Sequence, residues 1–277
     1  MKITPLHDSH AIESVTFAVE WLQPLPPNVM ATLETVYEAT LKSVLPSKKP
    51  IQHLALQFGG TDGAPVQRSH AAGWVFELFQ PDGQVAHSLQ LAPNFLAVTS
   101  FVYERWEQAF EHALAFMRPL LPLICVSTGG ITVFGLQYAD TFNIDSQDST
   151  FSPDLLLNRQ STLLPASVFG KTSLWHAHHG YFSSTGVEPK HRCLTTVNVD
   201  LLDVNGALQL RILGAHRSIF DIPLLDVDPL HSGGAGSMQA AMHAMHLENK
   251  ALLRDLLNTD TLRQIGLYEP NQPGLAS

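Results

Sequence analysis

Apolar and polar residues alternate along this chain in two similar successions. In the first, Phe76 to Phe79, a turn at Pro81-Asp82-Gly83, Val85 to Leu91 and Phe95 to Ser100 read as antiparallel strands. Three- and four-residue spacing then predicts a helix from about Val102 to Leu121. In the second, Trp175 to Phe182, Cys193 to Leu202 and Leu208 to Ile212 read as strands, with Asn205-Gly206 as a two-residue hairpin turn, before a helix from about Ser237 to Leu257. The repetition predicts an α+β fold of duplicated antiparallel sheet units, each covered by a long amphipathic helix.

The remaining pattern fits around these successions. Val15, Phe17, Val19 and Trp21 or Leu22 alternate through Ser14 to Leu22 as a half-buried strand, which Pro24, Pro26 and Pro27 stop. Val29, Leu33, Val36, Tyr37, Leu41, Val44 and Leu45 recur at helical steps and end before Pro46. Ile51 to Phe58 and Ile131 to Tyr138 are further strands, and Gly59 to His70 is a polar loop rich in Gly and Pro. The run of Asp, Ser, Thr and Asn from Asp140 to Asp154 is expected to be a solvated connection, dividing an N-terminal half, 1–140, from a C-terminal half, 155–277, packed closely together. The last helix is expected to bury Met238, Met242, Met245, Leu252, Leu253 and Leu256, with Ser237 as its N-cap.

Four segments carry a resemblance: Val19-Glu20-Trp21-Leu22-Gln23-Pro24-Leu25-Pro26, Tyr103-Glu104-Arg105-Trp106-Glu107-Gln108-Ala109-Phe110, Phe134-Gly135-Leu136-Gln137-Tyr138 and His246-Leu247-Glu248-Asn249-Lys250. Together they resemble a sporadically distributed family of bacterial proteins of similar length whose function is unknown, and the resemblance covers nearly the entire chain. It implies a shared fold and a bacterial cytoplasmic setting, and no reaction. Ala139-Asp140 departs from the family pattern, standing where the family tends to carry an Ile-Asn pair.

Composition narrows the possible partners. With 45% hydrophobic and 15% charged residues in 277, the chain can bury a substantial core. Sixteen basic against 25 acidic residues give a net charge of −9, which disfavours nucleic acid and anionic membrane surfaces. Cys125 and Cys193 lie in apolar, strand-like surroundings, so no disulfide framework is expected. The N-terminus lacks the apolar core of a secretion signal, and the greasiest window, Ala109 to Val126, carries Glu111, His112, Arg118 and two prolines. A cytoplasmic protein is expected.

Fourteen histidines supply the side chain best suited to proton transfer and metal binding near neutral pH. His176 and His178 would project from one strand face at a spacing that lets two imidazoles grip one ion, with His191, His216 or Asp200 as a third ligand. On a solvated sheet face the same pair simply hydrogen-bonds water, and neither HExxH nor paired CxxC spacing is present, so no metal or cofactor is assigned. His243 and His246 stand three apart on the last helix, with His231 upstream, and suit either a second proton-handling site or a half-buried helix boundary. Gly233, Gly234 and Gly236 lead into Ser237 and a helix N-terminus, where exposed backbone N–H groups can hold a small anion or nucleotide. A flexible hinge ending in an N-cap reads the same residues equally simply. Pro165 to Thr172 imitates a phosphate-binding loop, but proline stands at its first position and a strand follows it, so that reading fails. Asp140, Asp145, Asp148 and Asp154 lack the ligand alternation of a calcium loop.

The expected function is a non-enzymatic binding or protein-interaction scaffold, with a protein partner or a second copy of the chain. Two alternatives stand beside it: an enzyme whose site lies between the halves and uses His176 and His178 with Asp200, and a sensor of a small anion or nucleotide built on Gly233 to Ser237.

Overall fold

The structure is a computed structural model and describes residues 2–57, 66–145, 151–171, 173–184, 190–225 and 238–268, the side chains of 52–57 and 66–72 excepted. The elements run β1 Lys2–Pro5, β2 Ile12–Glu20, α1 Pro27–Thr40, β3 Ser47–Gln57, β4 Val66–Phe79, β5 Val85–Ala92, β6 Phe95–Ser100, α2 Trp106–Met117, α3 Leu121–Thr128 and β7 Ile131–Asp145. Two short 3-10 turns follow, then β8 Trp175–Ser184, β9 His191–Val204, β10 Ala207–Leu224, α4 Met238–Leu256 and α5 Thr259–Gln264. The fold is α+β, with one large antiparallel sheet in the order β3-β4-β5-β6-β2-β7-β10-β9-β8 and β1 added beside β7. Among the described residues β3 and β8 form its two edges.

The chain divides into two compact units that are discontinuous in sequence: residues 1–15, 136–219 and 239–277 form one, and residues 16–135 and 220–238 the other. The division cuts across β2, β7 and β10.

The second of these units is built by plain amphipathic patterning. Phe17 and Val19 are buried at alternate positions of β2, and the Phe17 ring lies 5.6 Å from Trp106 and 5.8 Å from Phe110 of α2. On α1, Leu33 and Tyr37 turn inward at a four-residue step; the Tyr37 ring stacks on Phe76 at 3.8 Å, and its hydroxyl donates to the Leu45 carbonyl at 2.7 Å. The helix expected over Val102 to Leu121 begins only at Trp106 and ends at Met117, with Val102 left 40% exposed. Pro119 accounts for the break, because its ring and missing N–H cannot continue a helix, while Pro122 sits in the first turn of the next one, where proline is tolerated. No single helix among the described residues is long and apolar enough to cross a membrane; α2 and α3 pass such a test only as a pair bent by 62°.

In the first unit the strands run longer than their hydrophobic runs. β7 continues through Asp140 to Asp145 where a solvated connection was expected to start, and Asp140 is 2% exposed. β10 extends twelve residues past Ile212, its inward positions passing from Leu210 and Ile212 to Gly214, His216 and Ser218. The Asn205-Gly206 turn has both residues at positive φ, 56° and 84°, as a two-residue hairpin with right-handed strand twist requires. Leu210, Ile212, Val197, Val199 and Leu201 pack with Leu252, Leu253 and Leu256 of α4 and with Phe142 of β7.

Candidate functional site

The inward face of the first unit has an apolar end and a polar end. The polar end forms because Thr195, His216 and Asn249 occupy positions that the two-residue period of β9 and β10 and the helical period of α4 all direct inward. Thr195 Oγ1 lies 3.2 Å from His216 Nδ1, and His216 Nε2 lies 3.2 Å from Asn249 Oδ1, all three residues being buried. Burial lowers the His216 pKa, and the hydrogen bond that its Nε2 gives to Asn249 Oδ1 and the Glu248 charge oppose that shift. The Tyr138 hydroxyl, from β7, meets His246 Nδ1 at 2.8 Å.

The chain of contacts also reaches the surface. Thr195 pairs across the strands with Tyr181 and hydrogen-bonds its phenol, and the Tyr181 hydroxyl donates to Glu248 Oε1 at 2.8 Å. Burial, followed by the Glu248 hydrogen bond, pushes the Tyr181 pKa up to about 12, so the phenol keeps its proton and acts as a donor. Tyr181 and Glu248 line a cleft of about 360 Å³ together with Thr162, Leu163, His179, Ala251, Leu252 and Asp255. Asp255 also anchors the loop beside it. It accepts from the Ser161 hydroxyl, from the Thr162 N–H at 3.1 and 3.2 Å and from the Thr162 hydroxyl at 3.1 Å, stapling that loop to α4. The arrangement can receive a small polar molecule against Glu248, with Tyr181 and His179 beside it.

Asp140 stands apart from this chain. Its Oδ2 is buried without a hydrogen-bond partner, and burial alone raises its pKa to about 7.

Of the residues expected to carry chemistry, His176 and His178 lie on the outward, exposed face of β8, with Asp200 directly across from His176. His216 points to the opposite, inward face and is engaged by Thr195 and Asn249, so the structure does not bring it to the pair. Among the described residues no group of three or more His, Cys, Asp or Glu side chains is placed to hold a metal ion. His243 is exposed and His246 buried, their rings 6.4 Å apart. Gly233, Gly234, Gly236, Ser237 and His231 lie outside the described residues. Tyr138, Asp140, Tyr181, Thr195, Glu248 and Asn249 were not expected as site residues. The signal that could have found the buried ones is a polar side chain at inward parity in an otherwise apolar alternation, as at Thr195 before Val197, Val199 and Leu201.

The sheet's two edges differ in kind. β3 carries Lys48, Lys49 and Pro50 and shifts register against β4 between Pro50 and Gln52. β8 carries no Asp, Glu, Lys, Arg or Pro, and its register with β9 runs unbroken from Trp175↔Leu201 to Ser184↔Arg192.

No protein-family model matches the chain, and no curated protein matches it either.

Proposed function

We propose that this chain is a non-enzymatic interaction scaffold of the cytoplasm that docks an extended strand along β8. The observation that carries the reading is the contrast between the edges. Natural sheets blunt an exposed edge with lysine, proline or a bulge, and β3 has all three. β8 is ten residues long with none of them, and its Phe182 is 62% exposed. An unguarded edge offers a row of main-chain donors and acceptors, and alternate side chains supply selectivity.

The same reading includes a duplicated plan. Twice, the last strand of an antiparallel meander is hydrogen-bonded to a strand that precedes the meander and is followed by a helix: β6 lies beside β2 and precedes α2, and β10 lies beside β7 and precedes α4. Membership of the sporadically distributed bacterial family belongs to this proposal as well and adds no reaction to it.

Amide hydrogen exchange on dilute protein tests the scaffold. The outward N–H groups of Trp175 to Ser184 should exchange rapidly while those facing β9 are protected. Protection of both sets in protein that sedimentation shows to be monomeric would mean that the chain itself covers the edge, and the reading would fall.

A second reading rests on the Tyr181–Glu248 pair and its cleft, which suits a sensor of a small polar molecule. Raised melting temperature on adding a ligand, abolished in Glu248→Gln, is the outcome that would favour it.

A further inference from the structure

We infer that the strand docked on β8 is the β8 of a second copy of this chain, so that two sheets join across a two-fold axis. The inference rests on the scaffold reading above and names its occupant. Its basis is self-complementarity. A C2 contact puts the same patch on both sides, so every charge on that patch opposes a like charge or its near neighbour. The molecule carries a net charge of −9, yet β8 contributes no Asp, Glu, Lys or Arg. It is a stretch of this chain that can meet itself without like-charge repulsion across the strands.

Side-chain geometry supports the same occupant. A two-fold axis perpendicular to the sheet keeps the two outward faces on one side, so each residue opposes one of the same parity. Centred on His179, the pairing sets His176 against Phe182 of the second copy and His178 against its Gly180. Centred on Gly180, it sets His178 against Phe182 of the second copy. Both registers cover the 62% exposed Phe182 ring with an imidazole, the kind of aromatic cross-strand pair that stabilises antiparallel sheets. On the inward face, His179 and Tyr181 belong to the cleft, so the second copy's strand would also lie at the rim of that site.

Sedimentation of the full chain over a range of concentrations tests this. The 30.4 kDa chain should give a species of twice that mass. The double variant His178→Lys, Phe182→Lys places on β8 the guard that β3 already has, at two exposed positions, and should weaken the dimer by about tenfold or more while leaving the far-ultraviolet circular dichroism unchanged. A dimer that the two lysines leave intact overturns the inference, as does a chain that stays monomeric at every concentration. In the monomeric case the exchange measurement separates the two failures: a fast-exchanging edge keeps the scaffold with another occupant, and a protected edge removes both.

Discussion

Tyr138 and His246, 108 residues apart, share a buried hydrogen bond of 2.8 Å between the phenol and Nδ1, tying the middle of β7 to α4. Tyr138 is 1% exposed and His246 6%, so the pair is made out of water. Tyr138→Phe should therefore cost about 1–3 kcal/mol, the range for losing one partner of a buried polar pair. His246→Leu should cost a similar amount, and the double variant clearly less than the sum, because each single change already removes the shared bond. Urea melts of the four proteins read the coupling.

Asp140 should make the protein less stable as the medium becomes less acid. Its folded pKa, about 7, lies above its ordinary 3.8, so from about pH 4 to 7 the folded state holds a proton that the unfolded chain has released. Its stabilising contribution is complete below about pH 4 and is lost as pH rises through about 7, at about 1.4 kcal/mol per pH unit. Asp140→Asn should remove that slope and be the more stable protein at pH 7.5. Identical pH profiles for the two in chemical denaturation would show that the carboxyl is not desolvated.

His216 should act in the opposite sense. Its pKa is lowered by burial, so its contribution is present above the ordinary histidine value and is lost as pH falls through the depressed one. His216→Gln, which keeps an amide to meet Asn249 and Thr195, should flatten the acid limb of the stability curve, as measured by thermal melts from pH 7.5 to 4.5.

Gly214 is held small by α4. A Cβ there would fall well inside van der Waals distance of Asn249 Oδ1, and that oxygen is already engaged by His216. Gly214→Ala should cost about 1–3 kcal/mol as an overpacking change. Pairing it with Asn249→Ala should recover part of the loss, and a plain additive result would exclude the clash.

Continuous fragments should not fold. Each compact unit draws on separate stretches: the first needs residues 1–15 as well as 136–219 and 239–277, and the second needs 220–238 as well as 16–135. Residues 1–150 or 151–277 expressed alone should show broad, uncooperative melting, and mixing the two should restore a sharp transition.

These cases also mark how far the fold could be read in advance. Phe17, Val19, Leu33, Tyr37, Val197, Val199 and Leu201 announce their strands and helix because burial and hydrophobicity coincide at each of them. β10 was legible only to Ile212, because its next inward residues are Gly214, His216 and Ser218, small or polar groups satisfied by partners on other elements that no local pattern contains. Asp140 misled for a different reason: an aspartate beside Thr141, Asn143 and Asp145 reads as loop, whereas β7 carries it into the interior. His176 and His178 were placed on one strand face correctly, yet His216 could not be separated from them until the parity of β10 was known. The cleft was illegible, since Thr162, Tyr181 and Glu248 meet through tertiary contacts alone.

The Asn205-Gly206 turn has a consequence for the lifetime of the protein. Asparagine followed by glycine is the dipeptide in which the backbone nitrogen most readily attacks the side-chain amide, expelling ammonia, and this one is exposed. The succinimide opens to aspartate or to isoaspartate, and the latter inserts an extra carbon into the main chain at the tip of the β9–β10 hairpin. Stored samples should thus accumulate acidic variants whose chemical ageing begins at that tip.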